Sequence, residues 1–285
     1  NRGAGRREGV RKPMKTLKTL ALYKESMQES FLGLIPARSG SKRIIAKNVR
    51  PLAGVPLLAY AVCSALDSRC FEKVVVSTDS PGYADIATLY GADVIMRPEE
   101  YATDVSPDID WVEHALKKLP GYDVFAILRP TSPFRKAETI QRAMAEFLAK
   151  QPADSLRAVE RCHEHPAKMW TVSHDKLHPL LPIIKGSTGA PGHSSQYASL
   201  PEVYVQNASL EIAWTEMALR THSIAGEVIV GFKTFGEEGV NIDTEWDFAV
   251  AEKMVERHEA KLPPVHVSGE DVMNREASRV ARGER

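Results

Sequence analysis

A three-layer α/β fold with parallel strand pairs is predicted by three features of the sequence. Short, nearly unbroken apolar runs alternate with segments of helical period. The apolar runs close on proline or polar turn residues. The 285-residue length suffices for one large domain. Unbroken apolar runs mark strands covered on both faces, as a sheet between two helical layers requires.

The elements follow in order. FLGLIPA (31–37) reads as a buried strand. PLLAYAVCSALDS (56–68) has helical spacing at Leu57, Ala61, Ser64 and Ala65. KVVVSTD (73–79) is a second buried strand, and GYADIATLYGA (82–92) a helix stopped by Gly91. DVIMR (93–97) is a short strand. In 106–119, Ser106 is expected to cap a helix and Pro107 to take its first position. DVFAILRP (123–130) is a strand, and residues 136–150 place Ile140, Met144, Phe147 and Leu148 on one helical stripe. ADSLRAV (153–159) is again a strand.

The alternation then breaks. Residues 162–201 are rich in His, Pro, Gly and Ser and read as an excursion from the main domain. Strand patterns return at 202–214 and 227–232, and an amphipathic helix over about 244–260 closes a domain spanning 31–261. Residues 1–30 are expected to be a flexible or adventitious extension, with Met27 a sensible start, and 262–285 a mobile polar tail. Trp246 and Phe248 are both expected to face the core.

Lys+Arg 37 balances Asp+Glu 37, so no global charge points to nucleic acid or an anionic membrane. No apolar run reaches membrane-spanning length. Three cysteines without repeated spacing suit a reducing, cytoplasmic setting. Cys162, His163 and His165 lack the second ligand pair that structural zinc needs.

One stretch departs from this balance. LIPARSGSKRIIAKNVR (34–50) carries Arg38, Lys42, Arg43, Lys47 and Arg50, and no acid lies between Glu29 and Asp67. Following the first strand, the loop lies at the carboxyl edge of the sheet, where such folds bind ligands. The amides of Ser39, Gly40 and Ser41 can form an anion nest, and cations spread over this length suit a triphosphate. The loop is neither GxxxxGK[ST] nor GxGxxG. Asp79 reads as a ligand or as the cap of the next helix; Asp104, Asp108 and Asp110 read as helix-start acids; Asp247 reads as a support for Asp243 or a cap.

The stretch IPARSGSKRIIAKNVRPLAGVPLLAY resembles the first motif of the acylneuraminate cytidylyltransferases, the CMP-sialic acid synthetase family. The resemblance continues through VVVSTDS, GADVIMRPEEYATDVSP, LRPTSPFR, EHPAKMW, PEVYVQNASLEI and VNIDTEWDFAVAE, from about residue 31 to 258. It implies a Rossmann-like nucleotidyltransferase fold, a small dimerisation subdomain at the excursion and a homodimer. It also implies coupling of CTP to the anomeric hydroxyl of a 2-keto-3-deoxy sugar acid, with loss of pyrophosphate. By position it assigns Arg38, Ser41, Lys42, Lys47, Asn48 and Arg97 to the nucleotide, with Arg38, Lys42 and Lys47 as the catalytic cations. Thr131 and Ser132, with Arg135, mark the sugar side, with Arg129, Tyr197 and Asn207; Lys168 is expected to reach the site from the excursion. Asp243 matches a Mg²⁺ ligand, with Asn241 beside it.

The chain differs from the family's pattern at named positions. Arg43 and Ile45 replace Gly and Pro, Asn241 replaces an aspartate, Arg129 replaces a Gln, and Tyr197 and Val205 replace arginines. Arg129 is expected to pair with the substrate carboxylate, and the more apolar wall to suit a 5,7-diacylamino-9-deoxy acid of the legionaminate type. A Kdo-type cytidylyltransferase and a nucleotide-binding homologue without catalysis are the alternatives.

Overall fold

A computed structural model of the chain describes residues 29–268. The expected extension at 1–28, with Met27, and the tail at 269–285 lie outside the described residues. In chain order, β1 (Phe31–Pro36) leads through the cationic loop to a hairpin of β2 (Pro51–Leu52) and β3 (Val55–Pro56) and then to α1 (Leu57–Ser68). Next come β4 (Lys73–Thr78), α2 (Pro81–Leu89), β5 (Asp93–Met96), α3 (Asp108–Lys118), β6 (Val124–Ile127) and α4 (Ala137–Ala149). The chain continues with β7 (Ser155–Arg161), a hairpin of β8 (Trp170–Ser173) and β9 (Lys176–Pro179), and β10 (Tyr204–Trp214). It ends with α5 (Thr215–Thr221), β11 (Ile229–Lys233) and α6 (Glu245–Glu256).

Seven strands form one sheet in the order β11-β7-β10-β6-β1-β4-β5. Its pairs are parallel except around β10, which runs antiparallel to both β6 and β7. Two cores flank the sheet, as the three-layer expectation requires. Val62, Ala87 and Phe147, from α1, α2 and α4, pack on one face; Trp111, Leu116 and Met217, from α3 and α5, pack on the other. A third cluster, with Ile44, Phe134, Ile242 and Phe248, seats α6 beneath the cationic loop.

Several local expectations change. Ser106 does not cap α3. Its hydroxyl donates to the Glu100 carbonyl (2.8 Å) and closes the preceding turn, while extended Pro107 precedes Asp108. Trp246 is 76% exposed, because the face of α6 that buries Phe248 and Ala251 excludes it. Residues 262–268 are not a free tail: Leu262 and Val265 pack on the third cluster, and the Ser268 amide donates to the Leu89 carbonyl. The domain also begins slightly early, with the Ser30 amide donating to Asp123 (2.9 Å).

Candidate active site

The cationic loop leaves the carboxyl end of β1 and walls a cleft of about 540 Å³. The opposite side is supplied by the ends of β5 and β6, the start of α3 and the segment before α6. Arg38, Ser41, Lys42, Lys47, Asn48, Arg97, Arg129, Thr131, Asn241 and Asp243 all line it, so one surface gathers ten of the residues expected to act together. Arg50 does not line it; its guanidinium pairs with Glu245 (2.6 Å) and covers the Phe248 ring (3.9 Å).

The loop has no acid of its own, yet the fold brings acids to it. Asp104 pairs with Arg38 (2.8 Å) and Lys42 (2.5 Å). Asp243 pairs with Lys47 (2.9 Å), and Arg43 lies 3.8 Å away. Asp79 does not cap α2, a task that falls to Ser80. It accepts from the Ser39 amide (2.7 Å) and hydroxyl (2.6 Å). The Ser41 amide donates back to the Ser39 carbonyl, so two of the three amides expected to form an anion nest are already engaged. Asn48 is buried and donates to the Arg38 carbonyl (3.0 Å), which fixes the loop from inside.

Arg97 is almost wholly buried. It bonds the Ser77 hydroxyl (3.1 Å) and carbonyl (3.0 Å) and lies 4.8 Å from the Trp111 ring centroid. Burial is the main cause that lowers its pKa, to about 10. A guanidinium so desolvated costs free energy unless a ligand or ring face supports it.

The Asp243 carboxyl faces opposed influences. Burial raises its pKa, but the hydrogen bond and charge of Lys47, then Arg43 and Asn241, outweigh burial and hold it below the ordinary range. Asp247, in the capping box of α6, accepts from the Asp243 amide (3.0 Å) and so orients this segment. Asn241 donates to Asp243 (2.5 Å), while its own Oδ1 is buried without a partner. An ionised carboxylate beside an unpartnered amide oxygen is a hard-oxygen donor set that fits one Mg²⁺ shared with phosphate oxygens and water.

The sugar-side expectations divide. Thr131 lines the cleft, and its carbonyl accepts from the Ile242 amide (2.8 Å). Ser132 is buried beneath the wall rather than on it. Asn207 lines an adjoining recess of about 250 Å³, but its amide is engaged with the Thr234 hydroxyl (2.8 Å) and the Ser209 amide. Arg135 is fully buried, donates to the Arg129 carbonyl (3.1 Å) and the Ser209 carbonyl, and is lowered by burial to about 9.

Three corrections follow. Arg129 is not free to clamp a substrate carboxylate, because one of its terminal nitrogens already serves Asp108 (2.6 Å) and Glu211 (2.7 Å). Lys168 does not reach the cleft of its own chain; its ammonium donates to the carbonyls of Ser195 (2.8 Å) and His193 (3.3 Å). Tyr197 is half exposed in the same excursion, beside His165 and Lys168. His165 is a turn cap, accepting from the Ala167 amide (3.1 Å). Asp104, Asp108 and Trp111 also line the cleft and Glu211 the recess, none of them expected there. The signal in the sequence is the pair of acids in ATDVSPD, which local pattern reads as helix-start charge.

A cleft at the carboxyl edge of a mostly parallel sheet, lined by more cations than the three aspartates Asp104, Asp108 and Asp243, is the setting in which α/β folds bind anionic ligands such as nucleotides. The chain belongs to the Cytidylyltransferase family of nucleotidyltransferases, whose pattern it matches over residues 32–175. It is 37% identical over 239 residues to the CMP-N,N'-diacetyllegionaminic acid synthase of Legionella pneumophila, covering 81% of this chain and 99% of that protein. It is 34% identical over 225 residues to the N-acylneuraminate cytidylyltransferase of Escherichia coli O18:K1:H7, covering 79% of this chain and 52% of that protein. The chain thus spans about half the length of that relative. Its fold is similar to a CMP:2-keto-3-deoxy-manno-octonic acid synthetase complexed with CTP (TM-score 0.61, 15% identity, 81% of this chain and 100% of the other). It is also similar to a 4-diphosphocytidyl-2C-methyl-D-erythritol synthase from Anaerococcus prevotii (TM-score 0.55, 12% identity, 80% and 99%). At these identities the likeness is one of fold alone.

Proposed function

We propose that this chain couples CTP to the anomeric hydroxyl of a nonulosonic acid of the legionaminate type, giving the CMP-sugar and pyrophosphate. The observation that carries the reading is the gathering of Arg38, Lys42 and Lys47 in one cleft with Asp243 and Asn241, Lys47 being paired directly with Asp243 (2.9 Å). The 99% coverage of the Legionella relative supports the substrate class.

In the reaction, the hydroxyl oxygen bonds to the α-phosphorus, the bond from that phosphorus to the bridging oxygen of pyrophosphate breaks, and the hydroxyl proton passes to solvent. Arg38 and Lys42 hold the phosphate oxygens, where charge accumulates as pyrophosphate departs. Lys47 holds Asp243 ionised, and Asp243 with the Asn241 amide oxygen would hold Mg²⁺. When bound, the ion supplies further positive charge to the phosphates. Asn48 and Asp79 keep the loop in position for the cations to act together.

The exposed apolar side chains of the excursion, Val172 (70% exposed), Leu177, Ile183 and Trp170, support a homodimer. In that arrangement Lys168 would serve the assembly rather than its own cleft. No helix among the described residues is long and apolar enough to cross a membrane. The free cysteines accord with a cytoplasmic setting.

The test is pyrophosphate release from CTP with a panel holding N,N'-diacetyllegionaminate, N-acetylneuraminate and Kdo. Preference for the first is expected. Equal turnover of N-acetylneuraminate refutes the substrate assignment, and silence with every acid refutes the reaction.

A further inference from the structure

The charges around Arg129 form one connected line. At the sheet centre, the register of β10 sets Glu211 opposite Ile127 of β6 on one side and Arg157 of β7 on the other. Glu211 is 4% exposed and pairs with Arg157 through one oxygen and with Arg129 (2.7 Å) through the other. Arg129 continues to both oxygens of Asp108 (2.6 and 3.4 Å). Asp108 accepts from the Trp111 indole (2.8 Å), and the Trp111 ring lies under the Arg97 guanidinium. Burial raises the pKa of Asp108, yet the Arg129 charge and hydrogen bonds bring it below the ordinary range.

Arg129 and Arg157 are matched by Asp108 and Glu211, so the Arg129 guanidinium is already paired before any incoming carboxylate arrives. One terminal nitrogen bridges Asp108 and Glu211 while the second reaches Asp108 alone (3.4 Å), so Asp108 meets two nitrogens of the fork where a Lys ammonium offers one. Arg129 and Asp108 both line the main cleft; Arg129 and Glu211 also line the adjoining recess. Building on the cytidylyltransferase reading, we propose that Arg129 is a positioning residue for the nucleotide. It holds Asp108, and through Asp108 it sets the indole of Trp111, the ring on which the guanidinium of Arg97, itself bonded to Ser77, rests at the cleft. Removal of Arg129 leaves Asp108 and the buried Glu211 without a shared cation, and the Asp108–Trp111 pair beneath Arg97 loses its anchor.

The proposal separates from a substrate clamp by which ligand suffers. Calorimetric binding of CTP alone, without sugar acid or turnover, is the measurement. R129Q and D108N are each expected to weaken CTP binding about tenfold, and R129K by nearly as much. The R129Q/D108N double variant is expected to be no weaker than the worse single variant, because the two act through one contact. Each variant is compared at a temperature where its thermal melt shows it folded, and D108N, which leaves the buried Glu211–Arg129 pair in place, carries the test if R129Q does not fold. If R129Q and D108N both bind CTP within twofold of wild type, or if their losses multiply in the double variant, the proposal is overturned. Failure of the wild-type chain to bind CTP would instead overturn the cytidylyltransferase reading beneath it.

Discussion

Replacing Asp243 by Asn removes one negative charge and keeps the shape. Lys47 has a side chain only 13% exposed, and it would be left with neutral acceptors, the Asn amide oxygen and the Ile242 carbonyl (3.2 Å). A hydrogen bond to a charged group contributes about 1.5–3 kcal/mol, and an exposed ion pair about 0.2–1. Asp243 is 39% exposed, so solvent screens the pair, and a loss of about 1–2 kcal/mol is expected. For a domain of this size that lowers Tm by roughly 2–8 °C. The sign with pH is fixed by the depressed carboxyl. Its stabilisation is complete above the ordinary aspartate value of 3.8 and is lost as pH falls through the lower folded value. The wild-type advantage over D243N should therefore be constant at neutral pH and vanish in strong acid. In the pyrophosphate assay, the Mg²⁺ concentration giving half-maximal rate should rise at least about tenfold, since Asn241 already supplies only a neutral oxygen. N241D, which adds a carboxylate, should keep activity. An unchanged Mg²⁺ titration in a D243N protein of unchanged Tm would refute the assignment of both the metal and the Lys47 pair.

R38A should lower kcat/KM about ten- to a hundredfold with an intact melting curve, for loss of a charge-assisted phosphate contact; near-normal turnover would remove Arg38 from the nucleotide site. K42A should cost less, since Lys42 is 83% exposed; steady-state kinetics on both variants gives the order. Asp104 competes with phosphate for both cations, so D104N should tighten calorimetric binding of CTP in metal-free buffer, and weaker binding would make Asp104 a supporter of the ligand. V172E with L177E should shift the chain to monomer in sedimentation velocity, and an unchanged oligomer would exclude that hairpin from the interface.

The order of strands and helices was legible because hydrophobic period is a local property. Buried β1 and β4 had to read as unbroken apolar runs, and α4 had to show its stripe at Ile140, Met144 and Phe147. The cationic loop was legible for the same reason: five charges without a local acid stand out over seventeen residues. What the sequence could not show was which acids would meet them. Asp104 reaches Arg38 from sixty-six positions away, and Asp243 reaches Lys47 from 196. Such pairings depend on which strands become neighbours. Arg129 was correctly placed at a strand's carboxyl end, yet its partner Glu211 lies 82 residues on and arrives only because β10 inserts antiparallel between β6 and β7. Lys168 and Tyr197 fell outside the cleft because the excursion turns their side chains onto its own carbonyls and rings. Local pattern fixes what each segment can bury. Charge pairing is decided by distance in space, and only the packed sheet sets that distance.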